Sequence, residues 1–124
     1  MAHPTNFGEG AEKIRLMREA DFPGGVVVDP TPITAFEEVT VFYNGLLAQS
    51  GAEQIYLHVG FGDPRHWKNV QDLRMSRTGY GWVKTLEMPD ESHFNFCFRD
   101  SAYNWDNNNG LNWSYEIHAG RLPS

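Results

Sequence analysis

The sequence predicts an all-β domain, an antiparallel sandwich or small barrel. Short runs of β-branched and aromatic residues recur along the chain, and several alternate apolar with polar residues at a period of two. Clusters of Gly, Pro and Asn punctuate these runs, as turns between strands require. With 124 residues there is room for one hydrophobic core but not for a second.

Taken in order, the first segment is the least regular. Between Glu9 and Asp21, residues Ile14, Leu16 and Met17 match one side of a short helix only poorly. Gly25-Val-Val-Val28 reads as a strand ahead of Asp29-Pro30-Thr31-Pro32. The two prolines mark the expected boundary between an extension over residues 1–32, with no role assigned, and a main domain over residues 33–120. Val39-Thr-Val-Phe-Tyr43 is β-branched and aromatic and ends at the turn pair Asn44-Gly45. Gln54-Ile-Tyr-Leu-His-Val59 alternates, placing Ile55, Leu57 and Val59 on one face and Tyr56 and His58 on the other. Trp82-Val-Lys-Thr-Leu86 follows the turn-like Thr78-Gly-Tyr-Gly81 and stops before Pro89. His93-Phe-Asn-Phe-Cys-Phe98 gathers Phe94, Phe96 and Phe98 on one face, and Trp113-Ser-Tyr-Glu-Ile117 is the last strand. Two long connections remain, Gly60 to Gly79 and Asp100 to Asn112, and loops of such length in a compact domain are usually functional or disordered. The Trp in each argues against disorder.

Composition narrows the function. Lys and Arg number 10 against 16 Asp and Glu, a formal net charge of −6, so neither the basic stripe of a nucleic-acid binder nor the cationic face of a membrane-surface binder is available. The absence of a basic, apolar leader at Met1 to Phe7 predicts a cytoplasmic chain, or an extracellular one if it is cut from a secreted protein. The single cysteine, Cys97, cannot form an internal disulfide and reads as a small strand residue among phenylalanines. Asp63, Asp100, Asp106 and Glu116 could supply a carboxylate pair, but nothing in the sequence sets their spacing, so no catalytic residue is expected. No His-x-x-x-His or Cys-x-x-Cys occurs. Asp106-Asn-Asn-Asn lacks the alternating carboxylates of a calcium loop, so neither a metal nor any other cofactor is expected.

What is left is a set of aromatic residues in polar loops. Trp67 follows His66 and precedes Lys68 and Asn69; Trp105 lies between Asn104 and Asp106. An indole presents a flat apolar face to the C–H face of a pyranose, and neighbouring Asn, Asp and His groups hydrogen-bond its hydroxyls. An uncharged sugar polymer needs no basic protein. His58 points away from the core face of its strand and suits the same purpose. Asp106, Asn107 and Asn108 either contact hydroxyls or only shape their loop. The same aromatics would also serve a protein-interaction domain as hot spots, or, less readily, a small glycoside-active enzyme.

Val39-Thr-Val-Phe-Tyr-Asn-Gly45, Ile55-Tyr-Leu-His-Val-Gly-Phe61, Trp67, Gly81-Trp82, Phe94-Asn-Phe-Cys-Phe98 and Asn104-Trp-Asp-Asn-Asn-Asn-Gly110 together resemble the starch-binding carbohydrate-binding modules of family 25. They are similar also to the related family 53 modules of plant starch synthases. The resemblance spans Thr34 to Ile117 and implies a non-catalytic, immunoglobulin-like antiparallel β-sandwich. It implies binding of α-1,4-glucans (starch, glycogen or maltooligosaccharides) through two Trp and one His, which correspond here to Trp67, Trp105 and His58. Trp82 corresponds to a core Trp of the family. Members are usually appended to amylases or synthases, whereas no catalytic domain is visible here, and residues 1 to about 30 have no counterpart.

Overall fold

The computed structural model describes residues 23–119. Among these, ten strands form two sheets: β1 (Val26–Asp29), β2 (Ile33–Thr34), β3 (Glu38–Tyr43), β4 (Ile55–Phe61), β5 (Lys68–Arg74), β6 (Ser76–Thr78), β7 (Gly81–Glu87), β8 (His93–Asp100), β9 (Trp105–Asp106) and β10 (Trp113–His118). One short α-helix, α1 (Leu46–Gln49), joins β3 to β4. The four-stranded sheet runs β1-β3-β7-β6; the six-stranded sheet runs β2-β10-β8-β4-β5, with β9 paired to β8. All pairings are antiparallel except β2 with β10. The fold is an all-β sandwich.

Strand periodicity decides what lies between the sheets. From the four-stranded sheet, Val26, Val28, Val39, Val41, Tyr43 and Trp82 point inward and are buried. From the six-stranded sheet come Ile55, Leu57, Val59 and Phe61, then Phe94, Phe96 and Phe98, then Trp113 and Ile117. The sheets meet ring on ring: Tyr43 stacks on Phe98 with centroids 3.9 Å apart, and Trp113 lies parallel to Phe96 at 5.9 Å. Trp82 is buried, as its place in a strand requires, but the indole that packs on the Phe96 and Phe98 rings is that of Trp113.

Three expectations need correction. The stretch from Gly60 to Gly79 is not one long loop, because it contains the end of β4, all of β5 and all of β6, leaving a short connection between Phe61 and Lys68. β5 forms the edge of its sheet, and all its residues except Leu73 are exposed, so its sequence shows no apolar alternation. At Met75, buried between β5 and β6, the chain passes from one sheet to the other. The stretch from Asp100 to Asn112 is likewise interrupted, by β9. Finally, Val26–Asp29 pairs with β3 and puts Val26 and Val28 into the core, so the sandwich takes in residues on the N-terminal side of the boundary drawn at residue 32. The weak helical pattern between Glu9 and Asp21 lies outside the described residues.

Candidate functional site

The outer face of the six-stranded sheet collects the polar and aromatic side chains that alternate with its core residues. Opposed residues on neighbouring strands share a face. The register sets Asp72, His58 and Cys97 side by side across β5, β4 and β8, and in the next row Arg74, Tyr56, Arg99 and Trp105 across β5, β4, β8 and β9. β9 pairs with Phe98 and Arg99 on the edge of β8 that β10 leaves free beyond Phe96, which brings Trp105 onto this face.

Trp67 reaches the same face by a different route. In the connection before β5, the Asp63 carboxylate accepts the backbone N–H of Arg65 at 2.8 Å, and the Trp67 indole N–H donates to the Pro64 carbonyl at 2.8 Å. The ring then lies on Gly60 of β4, where a Cβ would stand 2.7 Å from Trp67 Cβ and 2.8 Å from its Cε3. Only a residue without a side chain leaves that seat open. The His58 imidazole sits between the two indoles, 5.9 Å from Trp67 at 38° and 5.0 Å from Trp105 at 86°. Those unequal angles mean the two indole planes cannot be parallel. Trp105 is 44% exposed, and Trp67 is half-buried. The three rings named from the sequence therefore form one cluster, an angled aromatic platform on the outside of the sandwich.

Residues 39–96 match the starch/carbohydrate-binding module of family 53. The span is just under half the chain and runs from β3 into β8, taking in His58 and Trp67 but stopping short of Trp105. The family 53 match supports carbohydrate binding, and the family is one of non-catalytic binding modules. The matching family is the relative, family 53; family 25 stays a resemblance. No curated protein and no solved structure matches the chain.

On this face the sequence missed the residue that orients His58. Asp72 of β5 accepts from His58 Nδ1 at 2.5 Å through one oxygen and from Arg99 Nε at 2.9 Å through the other. Burial tends to raise the Asp72 pKa, but the hydrogen bonds and charges of His58 and Arg99 outweigh it and hold the carboxyl below its usual value. An ionised carboxylate only accepts, so the bond to Asp72 is made by a hydrogen on His58 Nδ1. The signal could not be found in sequence, because Asp72 lies in the strand read as loop.

The remaining predicted residues are tied into the structure of their loop. Asp106 faces the core side of β9 and accepts the Tyr43 hydroxyl at 2.6 Å; that hydroxyl in turn accepts the Leu47 N–H at 3.0 Å. Burial and the neighbouring Asp106 carboxylate both push the Tyr43 phenol far up, so it stays a donor. Asn107 Oδ1 accepts the Gly110 N–H at 2.9 Å, and Asn108 Nδ2 donates to the Asn112 carbonyl at 3.1 Å. Asn108, Asn109 and Asn112 all have φ near +58°, a left-handed conformation that Asn tolerates better than most residues. The Cys97 thiol, raised to about 12 by burial and by the Asp72 and Asp106 charges, is held protonated and unreactive. Among the described residues, no group of three His, Cys, Asp or Glu side chains could hold a metal.

Proposed function

We propose that this face binds α-1,4-glucans (starch, glycogen or maltooligosaccharides) by stacking glucose rings on Trp67 and Trp105. His58 offers one hydrogen bond between them. The observation that carries the reading is the imidazole held between two non-parallel indoles, one exposed and one half-buried. A curved α-1,4 chain turns its successive rings and can lay two of them on surfaces set at an angle, whereas a flat β-1,4 chain meets only one well. Because the Trp67 N–H is already taken by Pro64, that indole contributes its face and not a donor. Shallow stacking of this kind corresponds to micromolar to millimolar dissociation constants, roughly −4 to −8 kcal/mol. The site binds and performs no bond-making step. Gel retardation with soluble starch, glycogen, a cellulose derivative and xylan side by side tests the reading: retardation in the two α-glucans alone supports it, and equal retardation in all four, or none, removes it.

A further inference from the structure

Beside the three-ring platform stands a fourth ring that the platform does not use. Tyr103 is 66% exposed, yet it is fixed in place from beneath. Its ring lies over the Arg99 guanidinium at 4.5 Å, and the same guanidinium lies over Tyr56 at 4.2 Å. Arg99 is only 8% exposed and cannot shift, because Asp72 holds its Nε and the Asp100 carbonyl accepts from one of its terminal nitrogens at 3.0 Å. The backbone is fixed as well. The Asp100 carboxylate accepts the N–H groups of Ala102 and Asn104 and the Asn104 side-chain amide, while Tyr103 N–H donates to the Asp100 carbonyl. These bonds hold Tyr103 at φ +64°, a conformation a bulky residue does not adopt unaided. A mobile loop would hide the ring or leave it disordered; here one face is stacked on a cation and the other is offered to solvent. Trp105 is the register partner of Arg99, so it stands beside the residue on which Tyr103 is stacked.

We propose that Tyr103 is a further subsite, which takes a glucose unit of the same glucan next to the one on Trp105. The inference rests on the α-glucan reading and extends it: the site reads chain length as well as linkage. A short oligosaccharide fills Trp67, His58 and Trp105; a longer one also covers Tyr103. The test is calorimetric titration of wild type, Tyr103→Ala, Tyr103→Phe and Trp105→Ala with maltooligosaccharides from maltotriose to maltoheptaose, with a melting curve on each variant. In wild type, affinity rises with length. In Tyr103→Ala, maltotriose binding stays within about twofold of wild type while maltoheptaose binding weakens about three- to tenfold, the range one aromatic stack supplies. Tyr103→Phe keeps the rise, and Trp105→Ala weakens binding at every length. Should Tyr103→Ala leave both ligands unaffected, or weaken both equally, the subsite is disproved while the platform stands. Wild type that binds no maltooligosaccharide at all instead overturns the α-glucan reading. Should Tyr103→Ala melt well below wild type, Tyr103→Leu, which keeps bulk over Arg99 without a ring, carries the same comparison.

Discussion

Residue by residue, the tryptophans divide by where they stand. Trp105 is 44% exposed on the outer face, whereas Trp82 is 4% exposed inside the sandwich. Trp105→Ala should therefore shift the melting temperature little, by the equivalent of about 0.5 kcal/mol or less, while glucan titration shows a large loss. Trp82→Ala should cost about 3–5 kcal/mol, typical of truncating a large core aromatic. A Trp105→Ala variant that melts far below wild type, with a folded Trp82→Ala that no longer binds, would reverse these roles. Tyr43 gives a subtler case. Its ring is fully buried, but its hydroxyl bridges Asp106 and the buried Leu47 N–H. Removing that one oxygen in Tyr43→Phe leaves a buried donor unpaired, at about 1–3 kcal/mol in denaturant unfolding. An unchanged unfolding midpoint would show that water replaces the hydroxyl.

Among the elements, β4 carries His58 and the seat of Trp67, and Gly60 is its most sensitive point. Gly60→Ala puts a methyl where Trp67 lies, so the indole must lift from the strand. Glucan affinity should fall several-fold in titration while the fold survives; undiminished binding would mean the platform does not need that seat. β5 matters through Asp72. Its folded-state pKa lies below the unfolded value, so its stabilising effect is fully present above the usual aspartate range and is lost as pH falls through the lower folded value. Melting temperature should therefore drop on acidification below that range, and Asp72→Asn should flatten the curve there. Some slope will remain in the variant, because the hydrogen bonds from Asn104 lower Asp100 as well, against the opposing effect of burial. A wild-type curve that coincides with that of Asp72→Asn would contradict the assignment. The same elements show what the sequence could reveal. The strands around Val39–Tyr43, Ile55–Val59, Phe94–Phe98 and Trp113–Ile117 were legible because each faces a core on one side and alternates accordingly. β5 was not, because an edge strand with only Leu73 half-buried has too few inward residues to alternate. His58, Trp67 and Trp105 were legible as polar-loop or outward-facing aromatics. Asp72 became visible only once pairing set it opposite His58.

At the scale of the whole molecule, the proposed glucan binding does not draw on charge. The chain carries a net −6, but an uncharged glucan forms no ion pair with it. Affinity for maltoheptaose should change less than about twofold between low and high salt, since no attraction is there to be screened; a tenfold fall would mean that charge takes part in binding. The sandwich also separates two tasks in space. Its core lies between the sheets, and the aromatic platform stands on the outside of one of them. Trp105 and Asp106 are adjacent in sequence and on opposite faces of β9, one turned toward solvent and the other holding Tyr43. Ligand preference and foldedness can therefore drift apart under selection. Exchanges of ring type at positions 67 and 105 form a small combinatorial alphabet that a library could search while the core between the sheets stays untouched.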